Sequence, residues 1–175
     1  MREGKLTLAS QGVGSSGQIA GELFKRLAGI DITHAPYKGA APAQNDLMAG
    51  HETMMFDTAA PAIEPIAADA LRAIAVTARK RIEALADVPT ADEASLLLEI
   101  NAWFGLSATR ITPPEVISWV NREVNKAFDQ PDVRARYTAL GASLSLCMPE
   151  EFAKFVRAEN SKWGPVIEQA GGRLR

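Results

Sequence analysis

A glycine-rich turn between an apolar strand and a helix constrains this sequence more than any other feature. Residues 6–24 read LTLASQGVGSSGQIAGELF. The three glycines of the turn permit backbone conformations and close approaches that a side chain would prevent. Ser15 and Ser16 are candidate caps for the helix, whose apolar residues recur at helical spacing. The stretch therefore predicts a unit of a parallel sheet, in which a helix begins at the carboxyl end of a strand.

Such a turn can hold an anion, because unpaired backbone amides and the helix dipole both favour negative charge. The spelling of residues 12–17 also fits G-x-G-x-x-G, the dinucleotide fingerprint. That motif requires an acidic residue at the end of the second strand. Here the second strand, residues 32–36, is followed by Tyr37, Lys38 and Gly39, and Asp31 precedes it. A small carboxylate is therefore favoured, while a structural turn and an intracellular dinucleotide-binding Rossmann-like enzyme remain alternatives.

Strands alternate with helices through the first hundred residues. Further strands are predicted at 32–36, 53–56 and 71–77, with helices at 41–50 and after Asp57 to residue 67. This alternation predicts an α/β fold with a parallel sheet, whose strand ends share one edge where ligands bind. Asp57 is predicted to orient its turn, to receive a ligand amine or hydroxyl, or to cap a helix. The predicted ligand-binding residues are Ser10, Gly12, Gly14, Ser15, Ser16, Tyr37, Lys38, Gly39, Asp57 and Thr58.

The remainder of the chain is predicted to be mostly helical. A short helix at 91–97 precedes a strand-like crossover at 103–106, where Trp103 is either a core residue or an apolar wall of the crevice. A capping box, Thr112 to Glu115, opens a helix that runs to residue 128. A second helix follows Pro131 and stops at Gly141, and residues 142–146 could form a strand. A last helix opens at residue 149 and ends before Gly171 and Gly172.

Composition and residue spacing argue against several classes of function. The 19 basic and 21 acidic residues give a net charge of −2, without the basic surface that nucleic-acid binding requires. Cys147 is the single cysteine and the two histidines are far apart, so no metal site or cofactor is predicted. Ser10, His34 and Asp57 lie near three strand ends, as a catalytic triad could, yet the sequence lacks a G-x-S-x-G elbow. We predict a binding protein and not an enzyme.

With these residues assembled, the sequence resembles the solute-binding receptors of tripartite tricarboxylate transporters, the Bug family. The resemblance implies a periplasmic two-lobed clamshell that captures small carboxylates, such as di- or tricarboxylates, and delivers them to membrane subunits. The motifs that carry it run in order through nearly the whole chain: GKLTLAS, GVGSSG, AGELFKRLAG, HAPYKGAAPA, MMFDTAAPAI, LRAIAVTARKR, DVPTADEA, WFGLSA, TPPEVISWVNREVNKA and PEEFAKFVRAENSKWGPVIEQAG.

Two departures from the family pattern lead to further expectations. Gln18 stands where the family commonly has histidine, and family members carry a secretion signal and a first βαβ region ahead of the part matched here. We therefore expect a chain truncated at its N-terminus, with one lobe in residues 4–103 and the helical C-terminal part of the other lobe in 104–175. A periplasmic location is then implied by resemblance alone. Apolar helix faces left uncovered predict a homodimer through the C-terminal helices.

Overall fold

A three-stranded parallel sheet forms the centre of the fold. The computed structural model describes residues 6–169. Strands β1 (Thr7–Ser10), β2 (Thr33–Pro36) and β3 (Met54–Met55) are arranged in the order β2-β1-β3. Leu8 of the central strand lies opposite His34 on one side and Met54 on the other, and its side chain is completely buried. The predicted α/β class is confirmed.

Each strand is followed by a helix, so the three helices begin at the same edge of the sheet. These helices are α1 (Ser16–Ala28), α2 (Ala40–Met48) and α3 (Ala59–Ala67). Helix α1 packs closely on the central strand because Gly21 faces Leu8, where a Cβ atom would overlap the leucine side chain. The predicted opening strand, turn and helix are therefore confirmed, and so are the next two strand–helix pairs, within one to three residues at their ends.

The last helix returns to the first unit of the fold. After a single 3₁₀ turn at Glu83–Leu85, the chain forms α4 (Pro114–Phe128), α5 (Pro131–Ala139) and α6 (Pro149–Gln169). Trp163, Val166 and Ile167 of α6 pack against a cluster that contains Ile19 of α1 and Ile100. These three helices confirm the helical prediction for the C-terminal part. Their predicted stop at Gly171 and Gly172 lies outside the described residues.

Neither the predicted fourth strand, nor the strand-like crossover, nor the candidate strand at 142–146 forms a strand within residues 6–169. The predicted fourth strand at 71–77 reduces to one bridge, in which Val76 pairs with Thr90. Residues 103–106 and 142–146 have no strand partner either. An extended segment becomes a strand only when a neighbouring backbone completes its hydrogen bonds along several residues. In the 71–77 segment this pairing is limited to the bridge at Val76, whose amide donates to the Pro89 carbonyl and whose carbonyl accepts from the Ala91 amide, both at 2.8 Å. Apolar alternation alone was therefore a misleading signal for a strand. Ile74 of the 71–77 segment, for example, is 72% exposed.

Two helix predictions are wrong in their local detail. Residues 91–95 form turns and 96–97 have no regular structure, because Ser95 adopts a left-handed conformation with φ of +63° that is incompatible with a helix. The capping box is also absent: α4 begins at Pro114 with Pro113 as its cap residue, and no side chain caps it. The Thr112 hydroxyl instead pairs with the Thr109 hydroxyl at 3.0 Å. Gly141 does terminate α5, with φ of +69°.

Apolar side chains remain exposed along the C-terminal half. Helices α4 and α5 contain no buried residue. The largest exposed side chains there include Trp119 (54%), Phe155 (41%) and, in the crossover that precedes α4, Phe104 (93%). None of the helices within residues 6–169 has the length and apolarity needed to cross a bilayer.

Candidate functional site

A crevice of about 250 Å³ opens at the carboxyl edge of the sheet. Ser16 at the start of α1 and Thr58 before α3 line one side. Asn101 and Trp103 come from the segment after the first unit, and Trp163 comes from α6. The crevice therefore combines polar groups at two helix starts with an apolar wall. Trp103 serves as that wall, one of the two roles predicted for it.

The start of α1 has two unpaired backbone amides. Ser15 is the cap residue, and its hydroxyl oxygen accepts a hydrogen bond from the Gln18 amide at 3.3 Å. The Gln18 side chain in turn accepts from the Gly14 amide at 2.7 Å. Among residues 6–169, this leaves the first-turn amides of Ser16 and Gly17 without a partner. The free donors thus lie two and three residues after Gly14, and Ser16 is the one of them that lines the crevice.

The start of α3 has no side-chain cap, but it also leaves two backbone amides unpaired. Asp57 Oδ1 accepts from the Thr58 amide at 2.8 Å, and Pro61 has no amide hydrogen. Within the described chain, the amides of Ala59 and Ala60 are therefore the unpaired donors. Helix α2 begins with the same Ala-Ala-Pro-Ala sequence as α3, at residues 40–43 and 59–62. This repeated tetrapeptide was a signal for two equivalent helix starts that our sequence analysis missed.

Asp57 joins the turns that follow β1 and β3 to helix α2. Its Oδ1 accepts from Gln11 Nε2 at 2.8 Å, and its Oδ2 accepts from Gln44 Nε2 at 2.7 Å. Gln11 also donates to the Phe56 carbonyl, and Gln44 to the Pro61 carbonyl. Of the roles predicted for Asp57, the contacts match orientation of the turn. Gln11 and Gln44 themselves were not predicted, since isolated glutamines carry no motif.

The second turn directs its side chains away from the crevice. The Tyr37 hydroxyl is shared between Asp46 Oδ2 at 2.7 Å and Glu52 Oε1 at 2.9 Å. The hydrogen bond to the Asp46 carboxylate, with burial and Glu52 as smaller causes, raises the pKa of Tyr37 well above its usual value. The Lys38 side chain is exposed, and the Gly39 amide donates to the Gln11 carbonyl at 2.9 Å.

Ser10 and His34 form a hydrogen-bonded, partly buried pair instead of a catalytic triad. Ser10 Oγ and His34 Nε2 are 2.7 Å apart, and Ser10 is completely buried at the end of β1. Burial lowers the pKa of His34, and Lys25 adds to this effect while Glu22 opposes it. Because both Asp57 oxygens bind glutamine amides, the carboxylate does not orient the histidine.

The predicted site residues therefore fall into three groups. Ser16 and Thr58 line the crevice. Gly12, Gly14, Ser15, Gly39 and Asp57 build the turns behind it, and Gly12 and Gly14 have positive φ values of 144° and 80°. Ser10, Tyr37 and Lys38 have side chains that do not line it. Whether any of the ten contacts a ligand stays a prediction.

A carboxylate on α6 also lines the crevice. Glu159 Oε2 accepts from Trp163 Nε1 at 2.8 Å and from Trp103 Nε1 at 3.3 Å. The i,i+4 spacing of Glu159 and Trp163 on one helix face was a detectable signal that the sequence analysis did not use. Residues 6–169 contain no cluster of three or more His, Cys, Asp or Glu side chains that could hold a metal ion.

Comparisons with known proteins agree on one family. A family model described as "Tripartite tricarboxylate transporter family receptor" matches residues 1–172. A UPF0065 protein of Pseudomonas sp. (strain P51), in the tcbD-tcbE intergenic region, is 37% identical over 166 residues. That match covers 94% of this chain and 49% of the relative. The chain thus spans about half the length of most of the curated relatives it matches.

Solved structures of similar fold include two from Rhodopseudomonas palustris. Rpa4515 with adipate superposes with a TM-score of 0.90 at 32% identity, covering 97% of this chain and 57% of that one. MatC (Rpa3494) with bound malate gives a TM-score of 0.81 at 35% identity, covering 93% of this chain and 56% of that one. Both similar structures hold a small dicarboxylate.

Proposed function

Because the chain belongs to the tripartite tricarboxylate transporter receptor family, we propose that it is a solute receptor for small di- or tricarboxylates. The observation that carries this proposal is the pair of helix starts at one crevice. Ser16 and Gly17 of α1, and Ala59 and Ala60 of α3, provide four backbone amides that have no partner within residues 6–169.

Four free amides suit a carboxylate for a physical reason. The positive ends of α1 and α3 both attract negative charge, and each hydrogen bond to a charged group contributes about 1.5–3 kcal/mol. The hydroxyls of Ser16 and Thr58 add further donors beside them. At about 250 Å³ the crevice is small even among ligand pockets, which favours a small acid over a dinucleotide. The residues after β2 supply no acidic group for a ribose.

The family relationship extends this proposal to a cellular location and to a partner in transport. We place the receptor function in the periplasm, with the loaded protein delivering its solute to the membrane subunits of a tripartite transporter. Support comes from the family description and from similar structures that are periplasmic binding proteins, among them BugD. The solute itself is proposed only as a class, since the two similar structures hold adipate and malate.

Calorimetric titration of the purified chain with malate, adipate and citrate tests the proposal. Replacing Ser16 by alanine should weaken the bound acid about tenfold, because a hydrogen bond to a charged group is lost. Ser118→Ala is the matched control, since Ser118 is exposed on α4 and should leave the affinity unchanged. Binding of NAD in place of any carboxylate would contradict the proposal and favour the dinucleotide alternative.

We also propose that the chain forms a homodimer through its C-terminal helices. Its accessible surface is 12387 Å², whereas a compact protein of 18.8 kDa exposes about 8,300 Å². The excess of about 4,000 Å² exceeds the roughly 800 Å² that each partner contributes to a standard interface. Trp119 and Phe155 place exposed apolar area on these helices, and the exposed Met148 directly precedes α6. A second copy could cover them.

Light scattering after size exclusion tests the dimer. We expect twice the chain mass at micromolar concentration, and a shift to the single-chain mass in Trp119→Glu because a charge would be buried in the interface. Leu97→Glu is the control, since Leu97 is also apolar and is 80% exposed but lies in a loop before the C-terminal helices. A compact wild-type monomer that binds no apolar dye would contradict the dimer.

A further inference from the structure

The crevice is lined by groups of opposite character. The helix starts offer amide and hydroxyl donors at Ser16 and Thr58, while α6 offers the Glu159 carboxylate. On the proposed function, a solute places a carboxylate at the donors. We infer that Glu159 makes the crevice select acids that also carry an ammonium or hydroxyl group, over dicarboxylates that carry neither.

The two tryptophans hold the Glu159 carboxylate in place but leave one of its oxygens without a hydrogen bond. Both indole N–H groups donate to the same oxygen, Oε2, at 2.8 Å from Trp163 and 3.3 Å from Trp103. Within residues 6–169, Oε1 has no hydrogen-bond partner and the carboxylate forms no salt bridge at 4.0 Å or less. The nearby Lys162 ammonium lies over the Trp163 ring instead, 4.5 Å from its centroid. One oriented acceptor oxygen thus remains available to a solute.

The small size of the crevice makes this acceptor decisive. A solute within about 250 Å³ cannot place both of its ends far from Glu159. A second solute carboxylate near this residue meets a like charge in a partly desolvated space, whereas an ammonium or hydroxyl group donates to the free oxygen. Trp103 and Trp163 form the apolar wall beside it. The solute class is therefore an α-amino or α-hydroxy acid.

Succinate, malate and aspartate form a matched series, because they differ only in hydrogen, hydroxyl or ammonium at the second carbon. We expect the wild-type affinity to rise in that order, with aspartate at least about tenfold tighter than succinate. Glu159→Gln keeps an oxygen acceptor for the indoles but removes the charge. It should abolish the preference for aspartate and leave succinate equal or tighter.

Glu168→Gln controls for the loss of one charge from α6, since Glu168 is exposed on the same helix; it should keep the wild-type order. A variant that fails to fold does not decide the matter, because the wild-type series is measured independently of it. Equal wild-type binding of succinate and aspartate overturns this inference and leaves the receptor proposal intact. Absence of binding by every acid, citrate and adipate included, overturns both.

Discussion

Replacement of Asp57 by alanine distinguishes a structural carboxylate from one that contacts the solute. In the structure this side chain accepts three hydrogen bonds, from Gln11 Nε2, Gln44 Nε2 and the Thr58 amide. Those contacts connect the turn after β1, helix α2 and the start of α3. We therefore expect Asp57→Ala to weaken the connection between these three elements. Its main effect should be a lower free energy of unfolding and not the loss of a ligand contact.

The size of the loss follows from the partners that remain. A hydrogen bond to a charged group is worth about 1.5–3 kcal/mol. Gln11 and Gln44 keep the Phe56 and Pro61 carbonyls at 3.1 and 3.0 Å, so neither amide is left unpaired. Asp57 is also only partly buried, which reduces the contribution of its charge. We expect a total loss of about 2–4 kcal/mol.

Urea denaturation followed by circular dichroism measures this loss, at one fixed protein concentration because self-association would shift the midpoint. Asp31→Ala is the matched control: its side chain is exposed before β2, and its removal should change stability by less than about 0.5 kcal/mol. Unchanged stability of Asp57→Ala, together with abolished malate binding, would refute the structural role and restore Asp57 as a ligand contact.

Substitutions at three further positions test the turn and the strand beside it by urea denaturation. Ser15→Ala should cost about 1 kcal/mol through loss of the cap on the Gln18 amide, whereas Ser15→Gly should cost only a few tenths. Gly17→Ala should cost about 1–3 kcal/mol, because its Cβ would lie 2.6 Å from the Phe56 carbonyl oxygen. Burial lowers the pKa of His34, so the unfolded chain takes up more protons; stability should therefore fall as the pH drops below about 6.5, and less so in His34→Gln.

Sequence periodicity determined the first three strand–helix units and the edge that they share. The unit from β1 to α1 is stabilised by contacts between residues within one or two turns of chain. The spacing of its glycines, serines and apolar residues therefore predicts it directly. For the same reason α4, α5 and α6 were predicted. The opening turn also indicated the correct edge of the sheet for the crevice, because parallel strands place their carboxyl ends together.

Tertiary structure alone decided which polar groups at that edge are available to a ligand. Gln11 reaches Asp57 across 46 residues of sequence, and Trp103 reaches Glu159 across 56. Partners so far apart in sequence produce no periodic pattern. Neither the hydrogen bonds to the Asp57 oxygens nor the presence of the Glu159 carboxylate in the crevice could therefore be predicted. The predicted strand at 71–77 was wrong for the same reason, since a strand depends on a neighbour that its own sequence does not specify.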